Sequence, residues 1–96
     1  MIEVRQTEVF VEWFAHLRDR QARSRITARI RRLSLGNPGD VKPVGGGLSE
    51  MRIDHGPGYR VYFMRRGEAV VILLCGGDKG SQSRDIARAL DLARDV

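Results

Sequence analysis

The sequence predicts an α+β domain: a strand, two helices, three strands and a last helix, with a helical hairpin packed on a small, mostly antiparallel sheet. Three observations predict it. Apolar residues recur at helical spacing in two successive stretches of the N-terminal third. Two runs of apolar–polar alternation and one nearly unbroken apolar run then follow, separated by glycine-bearing turns. Helical spacing returns at the C-terminal end.

Ile2 to Gln6 alternates and reads as a short first strand. Thr7 is placed to cap a helix, with Glu8 in the first turn where the helix dipole favours an anion. Phe10, Trp13, Phe14 and Leu17 form that helix's apolar stripe, which makes Trp13 a core anchor. Asp19 can cap a second helix whose buried stripe is Ala22, Ile26, Ile30 and Leu33. The rest of its surface is arginine-rich, with Arg20, Arg23, Arg25, Arg29, Arg31 and Arg32. Gly36, Asn37, Pro38 and Gly39 stop it. The short junction predicts an antiparallel helical hairpin.

Asp40 to Gly47, with Pro43 and three successive glycines, reads as a flexible loop. Leu48 to Asp54 alternates Met51 and Ile53 with Glu50, Arg52 and Asp54. Gly56, Pro57 and Gly58 make a turn. Tyr59, Val61 and Phe63 then share one face of the next strand, and Arg60, Tyr62 and Met64 the other. Arg66, Gly67 and Glu68 make a second turn. Ala69 to Cys75 is apolar enough to be a central strand, and the tight turns make the three strands an antiparallel meander. Ser81 or Ser83 can cap a last helix with the stripe Ile86, Ala89, Leu90 and Ala93. The helical hairpin is expected on the Tyr59–Val61–Phe63 face, leaving Arg60 and Tyr62 on a more open one.

The 96 residues suit a single domain spanning 1–96. Seventeen Lys and Arg against twelve Asp and Glu give a net charge of +5, and only Lys42 and Lys79 are lysine. Arginine is the better bidentate partner for phosphate, so the charge points to nucleic acid. The one cysteine, Cys75, excludes an internal disulfide and suits a reducing, cytoplasmic setting. No signal peptide is visible and no stretch approaches the roughly 20 apolar residues of a membrane span. His16 and His55 lack metal-ligand spacing, and no cofactor or metal is expected. The glycine runs lack the P-loop pattern.

The cations are not scattered. Arg52 and Arg60 fall on one alternation phase of adjacent strands, and Lys79 stands where the last helix is about to begin. A basic sheet face with a lysine at its edge suits a phosphate. The arginines of the second helix fit either a solvated face or a contact with RNA or an acidic partner.

The strings SEMRIDHGPGYRVYF and LLCGGDKGSQSRDIARA, in this element order, resemble the RelE/ParE toxin superfamily, and within it the addiction-module killer proteins close to HigB-type toxins. The resemblance covers nearly the whole chain and implies a compact RelE-like fold. It implies the toxin of a type II toxin–antitoxin system, with an antitoxin bearing a helix-turn-helix DNA-binding domain as partner. Operator DNA would be reached only through that antitoxin. It also implies a metal-independent endoribonuclease that cuts messenger RNA on the ribosome and so inhibits translation. Arg60 then matches the arginine that approaches the scissile phosphate, with Arg52 and Lys79 beside it. Arg84 adds a further contact from the last helix. Beside the resemblance, the charge pattern offers Arg25, Arg29 and Arg32 as RNA or ribosome contacts, and His55, next to the hairpin turn, is either another such contact or a solvated loop histidine. Several relatives carry a tyrosine or histidine near the C-terminus for proton transfer, and this chain has neither after Tyr62. Tyr62 is the first substitute, because it shares Arg60's face, followed by His55, Asp54 and Asp78. Two other readings stand beside this one: a ParE-like inhibitor of DNA gyrase, and a non-catalytic nucleic-acid-binding or regulatory homologue.

Overall fold

A computed structural model describes residues 1–96. The order is β1 (Glu3–Gln6), α1 (Glu8–Ala15), α2 (Arg20–Ser34), β2 (Val41–Gly45), β3 (Leu48–Ile53), β4 (Tyr59–Arg66), β5 (Val70–Asp78), a 3-10 turn (Lys79–Ser81) and α3 (Gln82–Ala93). The strands make one sheet ordered β1-β5-β4-β3-β2. Its β2–β5 part is antiparallel, and β1 joins β5 in parallel. The arrangement is α+β and RelE-like. No helix is long and apolar enough to cross a membrane.

The two predicted caps close their helices. Thr7 Oγ1 accepts from Phe10 N at 3.1 Å and donates to Leu74 O at 2.5 Å, fixing α1 to β5. Asp19 Oδ1 accepts from Gln21 N and Ala22 N. The stripes of α1 and α2 then meet Met51, Ile53, Val61, Phe63, Val71 and Leu73 in the larger core. Arg23 lies over the Phe14 ring, bridging the two helices.

The stretch expected as a loop is largely an edge strand. β2 pairs with β3, and Pro43 is tolerated because an edge strand has one side free of ladder bonds. Gly45, Gly46 and Gly47 have φ of 96°, 63° and 77°. Three consecutive left-handed residues are open only to glycine, so the run is a specified hairpin turn.

β5 also runs farther than its apolar residues suggest, through Gly76 and Gly77 to Asp78. A Cβ on Gly76 would enter the Trp13 ring, and one on Gly77 would enter the Asp85 carboxylate. The glycines continue the strand while α1 and α3 press on its two faces. A bulge helps. Tyr62 pairs with Cys75 but Phe63 with Leu73, so Leu74 is an extra residue and both Leu74 and Cys75 face α3.

The face opposite the hairpin is not open at Tyr62. α3 covers it, burying Leu48, Tyr62, Ile72, Leu74, Cys75 and Ala89 in a second core. Ile86 and Ala93 pack there as expected. Leu90 does not: it is 37 % exposed, and Leu92 takes the inward place. Ser81 stands at the α3 N-cap without making a side-chain cap bond. Its Oγ instead donates to Asp85 Oδ2, while Asp78 Oδ1 caps the 3-10 turn through Gly80 N at 2.8 Å.

Candidate functional site

At the open end of the β3–β4 ribbon, α3 no longer covers the sheet. Arg52 and Arg60 are directly opposite each other in the register. The GPG turn lies beyond them, and Lys79 rises beside them from the end of β5. Together with Asp40, Asp54 and Gly58 they line a shallow cleft of about 380 Å3. Three of the four expected central residues therefore meet.

Like charges directly opposite on a sheet repel, so this pairing needs compensation. Arg60 has it. Its Nε is 2.6 Å from Glu50 Oε1, and its Nη1 donates to Gly58 O and Tyr59 O at 3.0 and 3.2 Å. The Nε contact is a charge pair and not an aligned hydrogen bond. Nη2 donates to no protein atom. Arg52 forms no ion pair, and its Nε is buried without an acceptor. Asp54 pairs with neither arginine; the partner is Glu50, which sequence reasoning missed. The signal was there: Glu50 shares the alternation phase of Arg52, which points it at Tyr62 and Arg60.

Tyr62 is not brought to the cleft. It is fully buried, and its hydroxyl has no hydrogen-bond partner. Burial raises its pKa, and the carboxylates of Glu50 and Asp85 raise it further. A group that holds its proton so strongly and meets no solvent is a poor proton shuttle. Tyr62→Phe is expected to leave stability unchanged or higher by about 1 kcal/mol, because it deletes an unsatisfied buried hydroxyl, and to leave the affinity of the cleft for inorganic pyrophosphate unchanged. Thermal melting and pyrophosphate binding check this together. Lost binding in a stable variant would return the hydroxyl to the site.

His55 is also engaged elsewhere. Its Nε2 is 2.9 Å from Asp19 Oδ2, tying the β3–β4 turn to the α2 cap. The bonds from Ala22 N and then from His55 hold the Asp19 carboxyl below its ordinary pKa. A depressed carboxyl stabilises the fold above its unfolded pKa and loses that contribution as pH falls through the folded value. Acidification below about pH 4 should therefore lower the melting temperature more in the wild type than in Asp19→Asn, by calorimetry.

Arg29 acts as a strap. Its Nη1 donates to Arg52 O at 2.5 Å, and its Nη2 to Asp40 O and Pro38 O at 3.0 and 3.2 Å. Burial, then the nearby Arg32, lowers its pKa below the usual arginine value. It holds the β3 backbone behind Arg52 and is not free for RNA. Arg25 and Arg32 are exposed on α2, and the Arg84 side chain is 81 % exposed at the start of α3. These three stay available. Burial pushes the Cys75 thiol up to about 11, so it is no nucleophile near neutral pH.

Residues 12–95 match the phage-derived Gp49-like proteins (DUF891). The chain belongs to that family. Gp49-like proteins are of the RelE/Gp49 toxin type, which agrees with the sheet order and the two-sided helix packing. A relative in Haemophilus influenzae, an uncharacterized protein, is 46 % identical over 95 residues, covering 99 % of this chain and 96 % of its own.

Proposed function

We propose that this Gp49-like chain is the toxin of a type II toxin–antitoxin pair, HigB-like in action, that cleaves messenger RNA on the ribosome in the cytoplasm. The observation that carries the reading is the cleft at which Arg52, Arg60 and Lys79 converge, with Arg52 held in no ion pair. Cleavage would follow attack of a ribose 2′-oxygen on phosphorus. The 2′-proton passes to a base, the 5′-oxygen leaves with a proton, and a 2′,3′-cyclic phosphate remains. The three cations oppose the charge that grows on the phosphate, which is commonly the largest catalytic contribution. With Tyr62 buried and His55 paired, the cleft carboxylates Asp54 and Asp40 are the groups in reach of the 2′-proton. Arg25, Arg32 and Arg84 supply further contacts to ribosomal RNA.

The partner is an antitoxin with a helix-turn-helix domain, through which operator DNA is reached, and an acidic segment that neutralises the cleft or blocks ribosome entry. One observation favours a second reading: the absence of a free tyrosine or histidine at the cleft fits a protein that binds nucleic acid without cutting it. Cell-free translation decides between them. Purified protein is added to translating and to ribosome-free message, and the 5′ ends are mapped. Cuts at discrete codons of translated message alone support the nuclease. Intact message with salt-sensitive binding supports the second reading, and intact message without binding turns the search to gyrase.

A further inference from the structure

Glu50 is one of two buried charged residues, at 1 % exposure. A buried ion pair is weak grounds for stability, because desolvation offsets most of its attraction, so its placement asks for another reason. Its Oε1 holds two groups from two other elements. One is Arg60 Nε on β4, at 2.6 Å. The other is Gln82 Nε2, donating at 2.7 Å from the first residue of α3. Gln82 follows directly on the 3-10 turn that begins with Lys79. Arg52 stands two residues from Glu50 on β3 itself. The three cations of the cleft thus sit on three separate elements, and this carboxylate is the point at which those elements are joined.

The geometry around Arg60 shows what the joint does. Glu50 holds the Nε edge and the turn carbonyls of Gly58 and Tyr59 hold Nη1. Only Nη2 is left for a ligand. A long arginine side chain is thereby fixed in one orientation before anything binds, which removes the ordering cost from the binding step.

We propose that Glu50 is the positioning residue of the cleft: it fixes the Arg60 guanidinium so that Nη2 is the group left for the ligand and, through Gln82, fixes the turn that carries Lys79. The inference deepens the reading of the cleft as a phosphodiester site and rests on it. Gln82→Ala tests it at a half-buried position where folding is safe, and Glu50→Gln tests it by keeping shape and removing charge. Nitrogen-15 NMR of the arginine Nε–H groups in the free protein reads whether Arg60 is held. Its exchange with water should quicken by about tenfold or more in both variants, since the contact that shields it is loosened.

Single-turnover cleavage of translated message should fall on the order of 10- to 100-fold at saturating ribosomes, with half-saturation moving less than about twofold. A purely structural role would lower the melting temperature without changing Arg60 exchange or the saturated rate. Unchanged Arg60 exchange in a folded Gln82→Ala variant overturns the proposal, as does an unchanged saturated rate in a wild type that cleaves. If Glu50→Gln does not fold, Gln82→Ala decides alone. If the wild type cuts no message, the nuclease reading fails by itself. Arg60 exchange and the affinity for inorganic pyrophosphate then decide the positioning role: weakening by about threefold or more supports it, and equal affinity overturns it.

Discussion

Arg52→Ala is expected to abolish growth inhibition and to lower message cleavage by about 10²–10³-fold, the cost of deleting one preorganised charge-stabilising group. Its melting temperature should stay at the wild-type value or rise slightly. Arg52 makes no ion pair, its Nε is unmatched, and it stands directly opposite Arg60. Its removal therefore relieves a like-charge contact without stranding a partner. Arg60→Ala gives a less informative loss. The Glu50 side chain is 2 % exposed and would be left with only Gln82, and an unpaired buried charge costs about 3–5 kcal/mol. Arg60→Lys keeps a cation near Glu50 but loses the fork that reaches the turn carbonyls, and it should fold while losing most of its activity. Thermal melting beside 5′-end mapping separates the cases. A fully toxic Arg52→Ala would remove Arg52 from the site and weaken the phosphate reading of the cleft.

What the sequence made legible follows from how local each signal is. The stripes of α1 and α2, the caps Thr7 and Asp19 and the two turns flanking β4 depend on residues within a few positions of one another. The joint presence of Arg52, Arg60 and Lys79 at one cleft followed from alternation and from one strand end. The signals that failed all needed a second element. VKPVG forms a strand only because β3 presents an edge to it. Tyr62 alternates with Val61 and Phe63 as a residue of the free face should, and α3, some twenty positions later, is what buries it. The pairing of His55 with Asp19 joins residues 36 positions apart. The bulge at Leu74 is invisible in an apolar run because neither phase is polar. Glu50 was legible by phase but carried no role in the sequence reading, since a lone strand carboxylate is usually exposed.

Gly77→Ala is expected to damage the fold and the cleft together. The added methyl would occupy the place of the Asp85 carboxylate and lie 2.9 Å from Ser81 Oγ. Asp85 is buried at 4 % exposure and its carboxylate is bonded to Ser81, so making room for the methyl is expected to push the first turn of α3 outward. That movement withdraws Gln82 from Glu50 and shifts Lys79. Overpacking of this kind costs about 1–3 kcal/mol, occasionally more, which for a domain of this size lowers the melting temperature by about 4–8 °C per kcal/mol. Gly76→Ala is the control on the other face. Its methyl meets the Trp13 ring of α1, on the sheet face opposite α3 and its Gln82–Glu50 contact, so it should lose comparable stability while the protein that remains folded keeps more of its cleavage rate than Gly77→Ala. Adding Asp85→Ala to Gly77→Ala removes the colliding carboxylate and should recover part of the lost melting temperature, though not the activity, because Ser81 loses its acceptor and the Lys79 turn its anchor. If Gly77→Ala melts like the wild type and still cleaves, α3 is not clamped against the strand in the way that sets the cleft.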